Sequence, residues 1–234
     1  MITGVSPESL GETLALILAK HSPRALVLAS RTQSKLENVA ETVRKQSPGV
    51  AVHQIVLDLG DQDAIRKAVV EISKLIDRID ILINNAGFVS SSREETAQGI
   101  EKTFGINHIG HWLFTSLLSP LLDRASSSAP AGMTRVINVT SMGHKFSPVR
   151  FHDYNFLGNP IPPEEEPPAY VPPHMKPDVS QGRLYQGFTA YAQSKTANIL
   201  HCLSLNRRLN KARAFAAHPG SMSSRSPLFR LTIC

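Results

Sequence analysis

Asp80-Ile81-Leu82-Ile83-Asn84-Asn85-Ala86-Gly87 holds the densest structural information in this chain. An apolar, β-branched run stops at two amides followed by two small residues. Amides and glycine suit a turn whose backbone approaches a ligand and braces a neighbouring strand. The stretch therefore reads as a strand feeding a ligand-facing turn, and the pattern on either side of it agrees. Similar short runs at 25–28, 50–57, 135–139 and 213–217, with 79–83 itself, alternate with segments of helical period. Those helical stripes are Leu10, Leu14, Ile17 and Leu18, then Leu36, Val39, Ala40 and Val43, then Ile65, Val69, Ile72 and Ile76. Such alternation predicts an α/β fold with a doubly wound parallel sheet, the stripes facing its core.

Bulk composition narrows the function. A chain of 234 residues fits one domain with a sizeable core. Its two cysteines, Cys202 and Cys234, are too few for a disulfide framework and suit a reducing, cytoplasmic setting. No apolar run of about 18 residues predicts a transmembrane segment, and the N-terminus lacks the layout of a signal peptide. A net charge of +6 invites a nucleic-acid reading, but the basic residues are dispersed and not interleaved with aromatics. Attraction of an anionic, multi-phosphate cofactor is the more economical explanation. His108 and His111 stand near each other in an apolar helical stretch and read as packed, hydrogen-bonded imidazoles. None of the histidines forms a metal-ligand constellation, so no metal is expected.

Residues 151–188 break the alternation. Eight of the 16 prolines lie between Pro160 and Pro177, around Glu164-Glu165-Glu166. Proline removes backbone donors and fixes φ, which predicts an extended surface loop. Two readings of it stand: a partly disordered insertion, or a lid over a substrate, the latter from its place ahead of Tyr191.

The chemistry-bearing residues follow the strand ends. Thr3-Gly4-Val5-Ser6-Pro7-Glu8-Ser9-Leu10-Gly11 leads into the first helix. A glycine-containing turn there lets backbone N–H groups reach a pyrophosphate, with Thr3, Gly4, Ser6, Ser9 and Gly11 as the cofactor-binding positions. Ser9 and Glu12 have capping-box spacing. A full Gly-x-x-x-Gly-x-Gly turn would need a glycine near Glu8 or Ser9, so a plain strand-to-helix turn competes. Ser30-Arg31 ends the next strand without the acid that accepts the 2′-hydroxyl of NAD. Arg31 offers a guanidinium fork suited to a 2′-phosphate, which favours NADP(H) over NAD(H). Asp58 could meet the adenine edge or cap the following helix. Tyr191-Ala192-Gln193-Ser194-Lys195 puts a phenol and an ammonium four apart on a helical stretch, hence on one face. A phenol free in water titrates near ~10, and a fixed cation nearby favours its deprotonated form.

Taken in order, Thr3-Gly4, Asp58, Asn84 to Gly87, Asn107, Ser141, Tyr191/Lys195 and Pro219-Gly220 resemble the motifs of a Rossmann-type short-chain dehydrogenase/reductase over nearly the whole chain. Asn107-His108-Ile109-Gly110-His111 and Ser194-Lys195-Thr196-Ala197-Asn198 are similar to the branch containing retinol-dehydrogenase-like and fungal secondary-metabolism enzymes. The resemblance implies that Tyr191 is the general acid or base and that Lys195 holds the nicotinamide ribose and favours the phenolate. It implies that Ser141 bonds the substrate oxygen and that Asn107 anchors a relay water. Asn85, Ala86, Gly87, Pro219 and Gly220 would line the cofactor, with Ser224 reaching its carboxamide. The implied activity interconverts a small, largely apolar alcohol with its ketone or aldehyde. A homodimer through helices near 102–122 and 189–210 is also implied.

Relatives carry a full apolar strand before Thr-Gly, where this chain has Met1 and Ile2, and they extend further beyond Ser224. Loss of a central strand is expected to leave neighbouring backbone groups unpaired. A non-catalytic cofactor sensor or scaffold on the same fold, or an inactive truncated product, is the alternative reading.

Overall fold

The computed structural model describes residues 1–168 and 185–220. Six parallel strands form one sheet: β1 Ile2–Thr3, β2 Ala25–Ser30, β3 Ala51–Val56, β4 Ile81–Asn84, β5 Arg135–Val139 and β6 Arg213–Ala217. Their spatial order is β3-β2-β1-β4-β5-β6, all pairs parallel. This is the Rossmann arrangement, in which the order reverses beside β1 and opens a crevice at the carboxyl ends. The strand runs read from the sequence overlie β2 to β6, with β2 continuing to Ser30, β3 narrowed to Ala51–Val56 and β4 shifted to Ile81–Asn84.

Helices α1 Leu10–Ala19, α2 Gln33–Gln46 and α3 Gln62–Leu75 follow the first three strands. After β4 come α4 Lys102–Phe104, a π-helical stretch Gly105–Ile109, α5 Gly110–Leu117 and α6 Ser119–Ser127; α7 Gly187–Arg208 precedes β6. Side-chain alternation along the strands feeds two cores. Leu26 and Leu28 join Ile2, Val39 and Val43 on one side, while Val27 and Ala29 join Ile65, Phe114 and Cys202 on the other. Burial of both faces is what allows an all-parallel sheet. Leu36, Val39, Ala40 and Val43 are fully buried, as the α2 stripe requires. The α1 stripe is corrected at Ile17, which is exposed; Leu10 is buried, Leu14 and Leu18 pack against the core, and small residues, Gly11, Ala15 and Ala19, complete the buried face. These sit four apart, so α1 packs close to the sheet through a small-residue seam.

Short as β1 is, both its sides are paired. Ile2 matches Leu28 and Ile83, Thr3 matches Ala29, Ile83 N donates to Met1 O at 2.9 Å, and Met1 N donates to Ile81 O at 2.7 Å. The predicted unpaired backbone at this position is therefore corrected over β4, where Met1 already supplies partners.

The β1–α1 turn also departs from its expected capping box. Ser9 Oγ accepts from Glu12 N at 3.2 Å, but Glu12 Oε2 accepts from Glu8 N at 2.7 Å rather than from Ser9. Ser9 N instead bonds Ser6 O, and Ser9 Oγ donates to the same carbonyl at 2.6 Å. Glu8 adopts φ 59, the left-handed conformation that a glycine would take without cost.

The proline-rich stretch is tied down over its described part. Asp153 is buried, pairs with Arg150 at 3.1 Å, and accepts from Leu157 N and Gly158 N. Glu165, also buried, accepts from His152 N at 3.0 Å and faces His152 Nδ1 at 2.8 Å. The expectation of an extended chain is thus corrected for residues 151–166, which stay largely exposed: two buried carboxylates fold the chain into turns. Its exit is held as well, Tyr185 donating to the fully buried Glu101 at 2.8 Å. Residues 169–184 lie outside the described part.

Candidate active site

One cleft of about 790 Å³ runs along the carboxyl ends of the strands. Its wall includes Thr3, Gly4, Ser6, Ser9, Arg31, Asn85, Ala86, Gly87, Ser141, Tyr191, Lys195, Pro219 and Gly220. Three expected site residues stand elsewhere, and a fourth cannot be placed among the described residues. Gly11 lies behind the wall, where an added β-carbon would sit 2.5 Å from Gly4 O, so its glycine serves the packing of α1 on the turn. Asp58 bonds Gly60 N at 2.8 Å, while its neighbours Leu57 and Leu59 line the cleft. Asn107 is buried behind Phe88. Ser224 falls outside the described residues.

The turn after β4 is clamped to β1 by one hydroxyl. Thr3 Oγ1 accepts from Asn85 N at 3.0 Å and Ala86 N at 3.1 Å, and lies 2.9 Å from His111 Nε2. Asn85 Nδ2 donates to Thr3 O at 2.8 Å, closing the clamp from the other side. Gly4 has φ 72, and a β-carbon there would lie 2.6 Å from Ala86 Cα. The two turns therefore touch through bare backbone, which leaves room for a ligand's phosphates beside their N–H groups.

At one end of the cleft, Arg31 and Lys35 both line the wall, and neither has an ion-pair or hydrogen-bond partner among the described residues. Helix α2 begins between them with no side-chain cap and no acid in its first turn. Sequence reasoning found Arg31 and missed Lys35. A lysine in a first turn, where helix polarity favours an acid, was the available signal.

At the other end stand Tyr191, Lys195 and Ser141. Tyr191 and Lys195 share one face of α7, and Lys195 Nζ lies 5.4 Å from the Tyr191 ring centre. Lys195 Nζ donates to Val139 O at 3.1 Å, and Thr140 Oγ1 donates to Lys195 O at 3.0 Å, fastening α7 to the end of β5. Burial pushes the Lys195 ammonium down to about 8. Ser141 Oγ accepts from Gly143 N at 3.1 Å, which leaves its proton free to donate. Thr196 Oγ1 contacts His144 O and Ser147 O, at 3.0 and 2.6 Å, and so holds the segment after Ser141 against the helix.

Asn107 occupies the π-helical stretch, a local widening of the helix frequent at functional sites. Its Nδ2 donates to Phe88 O at 2.9 Å and Ser194 Oγ at 3.0 Å, while Oδ1 accepts from Phe88 N at 2.8 Å. Ser194 Oγ in turn donates to Tyr191 O at 2.6 Å. Both amide donors are engaged, so a relay water can bond only to acceptor lone pairs of this residue. His111 Nδ1 bonds the Asn107 carbonyl at 3.0 Å, and His108 Nδ1 lies 3.3 Å from Asn198 Oδ1.

The short chain dehydrogenase family model matches residues 1–155. The chain belongs to the short-chain dehydrogenases. It is an oxidoreductase enzyme of the type acting on CH–OH donors. Over 238 aligned residues this dehydrogenase is 34% identical to the oxidoreductase fscI of Fusarium equiseti, with 100% of this chain and 91% of that protein covered. It is 33% identical to human retinol dehydrogenase 13, where the alignment takes in 94% of this chain and 57% of the relative. The chain thus spans little more than half of that retinol dehydrogenase. A crystal structure of an uncharacterized protein from Mycobacterium paratuberculosis superposes with a TM-score of 0.67 at 30% identity, over 94% of this chain and 66% of that one. An alcohol dehydrogenase from Thermococcus sibiricus, complexed with 5-hydroxy-NADP, shares the fold with a TM-score of 0.64 at 19% identity, covering 93% and 74% of the two chains. Among the described residues, no helix is long and apolar enough to cross a membrane.

Proposed function

We propose that this dehydrogenase interconverts a small, largely apolar alcohol with its ketone or aldehyde, using NADP(H). The observation that carries the reading is the placement of Tyr191, Lys195 and Ser141 on one wall of a cleft whose far end holds Arg31 and Lys35. The cleft suits a dinucleotide: Gly4 presents bare backbone at its middle, and Arg31 and Lys35, without partners among the described residues, stand where a 2′-phosphate would lie. When bound, the nicotinamide supplies or accepts the hydride.

The chain's own groups then handle the substrate oxygen. Ser141 Oγ donates a hydrogen bond to it, steadying the charge that develops there. Tyr191 gives its phenolic proton to that oxygen in reduction and takes it back in oxidation. Lys195, held by Val139 O and Thr140, keeps a positive charge beside the phenol and favours its anionic form once the proton has left. Asn107 positions the helix that bears both residues, through Ser194 and the Tyr191 carbonyl. Proton replacement from solvent by way of Asn107 is part of this reading.

Tyr191→Phe is the direct test: turnover should be lost while NADPH titration changes little, and retained turnover would overturn the assignment. Arg31→Asp should invert the preference between NADPH and NADH. A cytoplasmic setting fits the free, buried Cys202, whose thiol burial pushes up to about 11. Trp112, Leu200 and Leu203 are exposed apolar residues on α5 and α7, and a homodimer through those helices would cover them.

A further inference from the structure

The cleft wall beyond the reacting groups is aromatic. Phe146 and Phe188 line it with Tyr191, their ring centres 5.6 Å apart, and Phe188 lies 6.3 Å from Tyr191. All three rings are only partly buried, so each keeps a face open to the cleft. Among the described residues, two features shape that wall. Gly143 has no side chain where a β-carbon would come within 3.2 Å of Tyr191 Cε1. Met142, beside it, is 43% exposed and offers a polarizable thioether to the same space. The rings form a row that ends at the proton-transferring phenol: Phe188 precedes Tyr191 by three residues on α7, and Phe146 follows Ser141 on the facing segment.

We propose that the substrate carries an aromatic ring close to its carbonyl, and that Phe146 and Phe188 stack against that ring to set the carbonyl at Tyr191 and Ser141. This rests on the oxidoreductase reading above and names its substrate class. An offset or edge-to-face ring pair adds roughly two- to tenfold in affinity beyond area burial. Two such contacts give about a tenfold or greater preference for an aromatic ring over its saturated counterpart.

Phenylacetone and cyclohexylacetone make the comparison clean, because neither carbonyl is conjugated and the two differ only in ring saturation. With NADPH, kcat/KM for phenylacetone is expected to exceed that for cyclohexylacetone by tenfold or more. In Phe146→Leu/Phe188→Leu the ratio should fall toward one. Calorimetric titration of 2-naphthalenemethanol against its decalin counterpart reads the same preference without turnover, and circular dichroism checks that the double variant is folded. Turnover of both ketones at similar efficiency, with similar binding of both alcohols, overturns the aromatic assignment and spares the enzymatic one. Absence of turnover with preferential naphthyl binding does the reverse. A preference that survives in the folded double variant also overturns the role given to the two phenylalanines.

Discussion

Thr3 Oγ1 and His111 Nε2 meet 2.9 Å apart in the buried interior, and the direction of their hydrogen bond is fixed. His111 Nδ1 faces the Asn107 carbonyl, which can only accept, so Nδ1 carries the proton. Burial pushes the His111 imidazole down to about 3, leaving Nε2 bare at working pH. Thr3 must therefore donate to His111, and its lone pairs are turned toward Asn85 N and Ala86 N. One imidazole thus sets the polarity of the cofactor-side clamp and engages the carbonyl of the π-helical stretch.

Replacing that imidazole by a ring without nitrogens should loosen both turns at once. His111→Phe leaves the buried Thr3 proton only the Ile83 carbonyl at 3.5 Å and takes the imidazole donor from the buried Asn107 carbonyl, a weakened hydrogen bond and a lost one that together cost about 1–3 kcal/mol. Denaturant unfolding should show the loss, and NADPH titration a weaker affinity. An unchanged unfolding free energy would contradict the clamp.

Lys195 predicts an alkaline limit on cofactor binding. Its folded value of about 8 lies below the ordinary 10.5, so the ammonium is lost as pH rises through 8. Between those values the unfolded chain binds the extra proton, and the fold gains stability as the binding charge disappears. NADPH affinity should fall above pH 8 in the native enzyme, and that limb should be absent in Lys195→Met. A limb of equal size in both proteins would assign it to another group.

Acid should act earlier than carboxylate protonation. Burial holds His108 at about 4, His111 at about 3 and His201 at about 4, against an ordinary 6.5. Each is neutral when folded and takes up a proton when unfolded, so stability declines as pH falls below 6.5. The slope approaches roughly 1.4 kcal/mol per pH unit for each group. Urea midpoints measured from pH 7 to 5 test this, and a flat profile would remove the three imidazoles as the cause.

Gly143 carries a geometric prediction. The β-carbon of Gly143→Ala would stand 3.2 Å from Tyr191 Cε1, and the phenol must yield by a few tenths of an ångström. Small displacements of a reacting group are costly. Turnover should drop about tenfold, with the thermal midpoint almost unchanged. Equal turnover would show that the ring has slack.

The sheet was legible because β-branched runs and glycine turns are local signals; the limits of β5 and β6 coincide with those read from the sequence. The candidate residues Ser141, Tyr191 and Lys195 were legible for the same reason, each standing just beyond a strand end or one helical turn apart. What escaped was long-range. His111 meets Thr3 across 108 positions, and no spacing rule connects them. Asp153 and Glu165 lie in the stretch whose prolines suggest an extended loop, yet each is buried by partners supplied from the surrounding turns. Gly11 carried a motif-like signal for a ligand, and packing against Gly4 gives the glycine its reason.

Glu8 stands exposed in the turn between β1 and α1 with its backbone at φ 59. A side chain in that conformation costs about 1–2 kcal/mol, and its carboxylate adds negative charge near a seat for phosphates. Either glutamate codon becomes a glycine codon by one base change, which would relax the chain and remove the repulsion together. A relaxed turn between β1 and α1 therefore lies a single nucleotide away, an untapped adaptive reserve beside the cleft.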